Sequence, residues 1–339
     1  MAIRVAVVGL GSRGQDWVRE VRADPDYELV ACVDTDTEAL QLAATKLNVP
    51  QGQLFTTLAD ALDNASCEAV IVAAAADYHT EVCEAALARG LGVMVEKPFT
   101  LHLSEAVSLV RLAEQKKAPL VVAQNYRYMR SFKTARRLVR EGALGRVGLI
   151  ACQYFRVPHE MAPSLARLSN SILWGMGIHH LDALRYILGQ KVVGVLAESF
   201  SLPDEQSLHG ASLQTLLTFE DGTRAIYTAT YESSGHEFFE GGQEFYARLT
   251  GQDATLHVFQ RWLFLCARGK WPRPVRRGPR PVSEERVLLR QLERALLHDE
   301  APESSGLDNL QTMAIAEACV RSSRERRWIN PQELLREAR

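Results

Sequence analysis

The sequence predicts two domains of different class: an α/β domain with a parallel sheet over residues 1–123, and an α+β domain with a large, mostly antiparallel sheet over residues 124–339. Three observations carry this. Up to residue 123 apolar strands alternate with helical patterns, and from residue 146 onward strands follow strands. The 339 residues also exceed what one hydrophobic core usually supports.

The first strand, residues 3–8, runs into Gly9-Leu10-Gly11-Ser12-Arg13-Gly14 and then a helical pattern carrying Trp17, Val18 and Val21. A strand, a G-x-G-x-x-G turn and a helix together form the context in which this short motif binds a dinucleotide. Gly9 permits the tight turn, Gly11 lets the backbone approach a pyrophosphate, and Gly14 lets helix pack on strand. The helix N-terminus supplies amide donors for the phosphates. A second strand, 29–33, ends in Asp34, twenty residues after Gly14. A carboxylate there accepts hydrogen bonds from the ribose hydroxyls, and with Asp36 it repels a 2′-phosphate, so NAD is favoured over NADP. Arg13 argues the other way, though it could equally cap the turn or touch pyrophosphate.

The alternation continues with a helix over 37–47, a short segment through Phe55, a helix over 58–62 and a strand over 69–73. After a turn with Asp77, Tyr78 and His79 come a helix over 80–88, a strand over 92–95, a helix over 104–116 and a strand over 120–123. Such unbroken apolar strands imply a parallel sheet covered on both faces. The strand at 92–95 leads into Glu96-Lys97-Pro98, which holds an ammonium group stiffly at a strand end, where open α/β sheets bind ligands. A Lys-Pro bond is also one of the few that can sit cis.

In the second domain the candidate strands are 147–157, 192–200, 212–219, 223–231, 245–250 and 254–259, with hairpin-like turns at 220–222 and 251–253. Helices around 133–140 and 179–188 would cover one face. The other face, if apolar, calls for a partner, and a homo-oligomer built sheet to sheet is the expected answer. Residues 269–281 mix prolines, arginines and Trp271. This segment is read as an extended solvated loop in preference to an RNA-binding arm, because the rest of the chain offers no basic face.

Composition excludes several classes. Hydrophobic content of 47% and 24% charged residues are ordinary for a globular protein, and a net charge of −2 gives no reason to expect nucleic acid or an anionic membrane. Six scattered cysteines (Cys32, Cys67, Cys83, Cys152, Cys266, Cys319) without C-x-x-C spacing suggest reduced thiols in a cytoplasmic protein and no metal site. The N-terminus enters a strand at once, so no signal peptide is expected, and no apolar run approaches membrane-spanning length.

The GLGSRG start, Asp34, the AAAADYH segment, EKP and a late Gly177-Ile178-His179-His180-Leu181-Asp182 together resemble the Gfo/Idh/MocA oxidoreductases. The resemblance covers nearly the whole chain and extends to Asn125-Tyr126-Arg127, to residues 141–146 and to a helix start at 306–310. It implies a Rossmann domain plus a mixed α/β domain, a nicotinamide cofactor, and a sugar, polyol or related hydroxy compound as substrate.

Carried over residue by residue, the resemblance makes Lys97 and His179 the catalytic pair. Lys97 would stabilise a developing alkoxide, and His179 would exchange the hydroxyl proton while hydride moves to or from nicotinamide. Gly9, Leu10, Gly11, Ser12, Arg13, Gly14, Asp34, Ala74, His79, Glu96 and Lys97 would contact the cofactor. Tyr126, Arg127, Tyr154, Trp174, His179 and Asp182 would face the substrate, with Arg156 and His159 also bordering it. His180 reads as structural, or as a support behind the residues that touch substrate.

One departure stands out. Many relatives carry an aspartate four residues before the histidine, and here that position is Gly175. Three explanations remain open: the substrate supplies a polar group, Glu160, His159 or Tyr154 has taken over, or the protein is a non-catalytic sensor of nucleotide or metabolite. Elimination or glycoside cleavage with tightly held NAD is a further reading that the fold permits.

Overall fold

The computed structural model describes residues 2–156, 167–202, 209–233, 245–279 and 282–339. The chain divides into two compact units, Met1–Gln124 with Ser283–Leu310, and Asn125–Val282 with Gln311–Arg339.

The first unit is built on six parallel strands: β1 (Ile3–Val8), β2 (Tyr27–Val33), β3 (Leu54–Phe55), β4 (Ala69–Val72), β5 (Gly92–Val95) and β6 (Leu120–Val122). Their order is β3-β2-β1-β4-β5-β6, every pairing being parallel. Both faces of the central strands are buried, as their unbroken Val, Ile and Ala runs require. Helices α1 (Ser12–Arg22), α2 (Thr37–Lys46), α3 (Leu58–Asn64), α4 (His79–Ala88) and α5 (Leu103–Lys116) alternate with the strands. Asp36 and Thr57 cap α2 and α3 by accepting the amide protons of Glu38 and Asp60. The strand order reverses between β1 and β4, which opens a ligand crevice beyond their carboxyl ends.

Residues 283–310 belong to this unit, whereas a single boundary at 123/124 is what the sequence suggests. Ser283 caps the helix Glu284–His298, which lies against the sheet. The Tyr27 hydroxyl donates to the Leu289 carbonyl at 2.5 Å, and Arg290 meets Asp24 at 3.2 Å. Leu292 and Leu296 press so closely on Gly92 that a Cβ there would sit 2.9 Å from Leu296. Beyond the helix, Ser304 exchanges hydrogen bonds with Val122. The partners are more than 180 residues apart, and local periodicity carries no trace of such contacts.

The second unit holds an eight-stranded sheet. Its strands are β7 (Val147–Phe155), β8 (Val192–Phe200), β9 (Ser212–Phe219), β10 (Arg224–Thr230), β11 (Phe245–Gly251), β12 (Ala254–Phe259), β13 (Leu263–Ala267) and β14 (Arg273–Pro274). The order is β14-β13-β12-β11-β7-β10-β9-β8, and among the described residues β7 with β10 is the one parallel pair. Alternate residues face an aromatic core of Phe132, Tyr154, Phe219, Tyr227 and Phe245, supported by α6 (Arg130–Arg140) and the helix Ile178–Leu188. The edge strand β8 is closed off: the amides of Val195, Ala197 and Ser199 donate to Ile329 O, Ser322 Oγ and Ser323 Oγ at 2.8–2.9 Å.

The segment from Gly269 is extended, as read from the sequence, and it adds a short strand at the other edge. Val275 N donates to Leu263 O at 2.9 Å, Arg277 lies 5.2 Å over the Trp262 ring, and Arg130 Nε donates to Gly278 O. Residues 280–281 lie outside the described residues, as do 157 of the expected β7 and both His159 and Glu160. Strands β13 and β14 and the helix Pro331–Ala338 are unforeseen, being short or masked by the prolines and arginines around them. The helix start at 306–310, implied by resemblance, opens the helix Gly306–Glu325.

Candidate active site

In the first unit the turn after β1 is shaped by two glycines that cannot be replaced without displacing backbone. Gly9 has φ +87°, and a Cβ on it would fall 2.4 Å from the Ala74 backbone; a Cβ on Gly14 would fall 1.8 Å from Gly9 O. Gly11 is the opposite case: it is exposed, with open space on its Cβ side, at the N-terminus of α1, which no side chain caps. Helix amides facing open space are the donor set that a pyrophosphate requires. Ser12 is exposed beside them, and Leu10 is buried.

Asp34 closes the floor of the turn. Its Oδ2 accepts from Leu10 N at 2.6 Å and its Oδ1 from Asp36 N at 2.9 Å, which fixes the carboxylate at the end of β2. The residues present therefore fit an adenine dinucleotide. When bound, that group would supply a nicotinamide able to accept or give a hydride.

Lys97 follows β5, and the Lys97–Pro98 bond is cis. Burial pushes its ammonium pKa down to about 8, against the pull of Glu96 and with help from Arg13. Glu96 is 6% exposed and accepts from Arg13 at 2.7 and 2.9 Å and from the Trp17 indole at 2.8 Å. The Arg13 guanidinium also reaches Asp16 and Glu285, so it is engaged by three carboxylates. His79 is buried with Nδ1 2.8 Å from Pro98 O and Nε2 3.0 Å from Ala74 O. In its neutral form the ring has one N–H to donate, to either the Pro98 or the Ala74 carbonyl, and it packs between the β4 loop and the segment that carries Lys97. Burial holds its imidazole pKa below the ordinary range.

In the second unit His179 lies in the first turn of the helix Ile178–Leu188, directly after a wide, π-type turn over Leu173–Gly177 that contains Gly175. The Tyr126 ring stacks on its imidazole, with centroids 4.3 Å apart and planes 14° from parallel. Asp182, one turn further on, binds Arg127 through two contacts of 2.5 Å, and Thr312 Oγ1 donates to it at 2.7 Å. Arg127 and Asp182 are 3% and 1% exposed. The structure thus places this pair in the interior, where it fixes the helix that carries His179, itself buried at 4% exposure.

Tyr154 and Trp174 are also buried, whereas Tyr126 and Arg156 are half-buried. Tyr154 packs 4.8 Å from the His180 ring, and His180 Nδ1 lies 2.7 Å from the Tyr227 hydroxyl. His180 is therefore the core histidine that the sequence indicates. Sequence reading misses Trp17, Glu285, Tyr227 and Thr312. Trp17 alone leaves a signal, since a buried indole needs an acceptor for its N–H.

Two family models match this chain: "Oxidoreductase family, NAD-binding Rossmann fold" over residues 3–124, and "GFO/IDH/MocA C-terminal domain" over residues 132–257. The D-apiose dehydrogenase of Paraburkholderia graminis is 26% identical, covering 98% of this chain and 91% of its own length. The myo-inositol 2-dehydrogenase of Thermotoga maritima is 23% identical, covering 98% of this chain and 100% of its own. Among solved structures, an oxidoreductase from Agrobacterium radiobacter in complex with NAD+, L-tartaric acid and magnesium has a TM-score of 0.88 and 21% identity. The match covers 99% of this chain and 100% of that one. At that identity the likeness speaks for the fold.

Proposed function

This chain belongs to the GFO/IDH/MocA oxidoreductase family, and we propose that it transfers a hydride between nicotinamide and a secondary hydroxyl, or the matching ketone, of a sugar, polyol or related cyclic hydroxy compound. The observation that carries this reading is Lys97: an ammonium at the carboxyl end of β5, in the unit with the open glycine turn, with its pKa brought down to about 8. A group titrating near working pH can stabilise an alkoxide and pass its proton on. His179 takes the role of exchanging the hydroxyl proton, its ring held flat by Tyr126. The names of the relatives, which are dehydrogenases of D-apiose and myo-inositol, support catalysis over the sensor reading despite Gly175.

NAD is the proposed cofactor. Asp34 stands fixed at the end of β2, and Arg13 is already held by Glu96, Asp16 and Glu285. Parallel calorimetric titrations with NADH and NADPH test this, with tighter NADH binding expected. Asp34→Ala should narrow the preference by about tenfold, and a wild-type chain preferring NADPH would overturn the reading. Lys97→Met should keep NADH binding and lower turnover of the responding polyol by roughly 10²–10⁴; unchanged turnover would remove Lys97 from the chemistry.

The assembly reading is a homo-oligomer. Leu149, Leu216 and Ile226 stand 39–46% exposed on one face of the eight-stranded sheet, with Ile226 directly beside Leu216. A second copy of this sheet is the proposed cover, and Ile226→Arg should lower the mass seen by light scattering. The cytoplasmic setting rests on six free thiols. Among the described residues no helix is long and apolar enough to cross a membrane.

A further inference from the structure

We infer that Arg13 and Trp17 are positioning residues for Lys97: they clamp the Glu96 carboxylate to which the Lys97 backbone is hydrogen-bonded, and through it fix the ammonium at the strand end. The inference rests on the assignment of Lys97 to the reaction centre.

The clamp has an unusual concentration of donors. Glu96 Oε1 receives Arg13 Nε at 2.9 Å, Arg13 Nη2 at 2.7 Å and Trp17 Nε1 at 2.8 Å, and Oε2 accepts from Lys97 N at 3.2 Å. Three donors converging on one oxygen leave the carboxylate little freedom to rotate, and charge-assisted bonds of this length are the strong ones. Trp17 is fully buried, so its indole N–H depends on Glu96 for an acceptor. The guanidinium is in turn steadied from two more directions. It lies 5.7 Å over the Trp17 ring, and Glu285, on the helix Glu284–His298, meets Nη2 at 3.3 Å. The glycine-rich segment therefore does two tasks: Gly9, Gly11 and Gly14 shape the turn, and Arg13 with Trp17 buttresses the lysine 80 or more positions later in the chain.

The electrostatic consequence has a definite sign. Within the first unit Lys97 is influenced by Glu96, which favours its charged form, and by Arg13, which disfavours it; burial is the largest influence and lowers its pKa to about 8. Asp16 and Glu285 stand behind Arg13, and the His79 ring lies against the Pro98 carbonyl. Removing Arg13 must raise the Lys97 midpoint, and removing the Glu96 charge must lower it.

The test is trace acetylation of the full-length protein across about pH 6–11, read by mass spectrometry on the peptide that carries Lys97. The other six of the seven lysines serve as internal standards. The wild-type Lys97 midpoint is expected well below those of the other lysines. Arg13→Gln should move it up, and Glu96→Gln down, each by roughly half a pH unit or more. Arg13→Lys, which keeps the charge, should stay near wild type.

A cooperative thermal melt followed by circular dichroism shows that each variant is folded. If Arg13→Gln does not fold, Arg13→Lys and Trp17→Phe carry the comparison, Trp17→Phe shifting the midpoint and Arg13→Lys holding it. Unchanged midpoints in folded Arg13→Gln, Glu96→Gln and Trp17→Phe would overturn the inference. So would loss of NADPH binding alone in Arg13→Gln, which would make Arg13 a phosphate ligand. A Lys97→Met chain that still turns over substrate would remove the catalytic assignment yet leave the clamp standing.

Discussion

Glu96 and Asp182 are both buried carboxylates close in sequence to a proposed catalytic residue, and each is answered by an arginine, yet their surroundings differ in kind. Asp182 and Arg127 are sealed from water at 1% and 3% exposure, and Thr312 is bonded to the same carboxylate. Glu96 faces an arginine whose side chain is 38% exposed and divided among three carboxylates. The closed pair fastens one helix inside the second unit. The open cluster leaves the charge around Lys97 adjustable. Burying a charge pair is therefore not one device: sealed from water it fixes geometry, and at the margin of water it tunes chemistry.

The largest effect that would sharpen this contrast comes from the sealed pair. Asp182→Asn leaves the Arg127 guanidinium buried without its counter-charge and should cost about 3–5 kcal/mol, read as a fall in the urea midpoint. Glu96→Gln should cost less, about 1–2 kcal/mol, because Arg13 can turn to water and to Glu285. Equal losses would break the comparison.

The contrast also marks what sequence can and cannot disclose. The glycine turn is legible because its spacing is local: Gly14 meets the Gly9 backbone within the motif, although Gly9 itself is pressed by Ala73 and Ala74 after β4. Strands β1, β2, β4, β5 and β6 are legible because both their faces are buried. Asp34 is legible by its distance from the turn. The partners of Arg13 are not, since Glu96 lies 83 and Glu285 272 positions away. Arg127 and Asp182, 55 apart, look like two polar residues near a histidine, and their mutual neutralisation is invisible until the chain is folded. Gly175 is visible as a departure, but the stacking of Tyr126 on His179 that accompanies it is not.

A smaller effect follows from the Lys97 pKa, lowered from an ordinary 10.5 to about 8. Below about pH 8 both folded and unfolded chains hold this proton, and the folded state bears the cost of a buried ammonium. Between about 8 and 10.5 the folded chain has released the proton and the unfolded chain keeps it, so rising pH stabilises the fold. Lys97→Met should therefore exceed wild type in stability at pH 7, with the gap closing toward pH 10.5 in paired melts. A gap constant with pH would mean that Lys97 titrates like an exposed lysine, and the Glu96 cluster would lose its tuning role.

The smallest effect tests the remaining support of His179. Tyr126→Leu removes a flat ring contact and should cost about 1 kcal/mol in stability, while lowering turnover more than it weakens NADH binding. A loss in binding as large as the loss in turnover would place Tyr126 against the cofactor instead.

The return of residues 283–310 to the first unit has a consequence for how the chain is made. The helix that covers Gly92 and the serine that pairs with Val122 leave the ribosome only after residues 125–282. At cellular synthesis rates that interval is on the order of ten to thirty seconds. During it the nascent parallel sheet stands with one flank bare, a period in which chaperone capture and aggregation compete with completion of the domain.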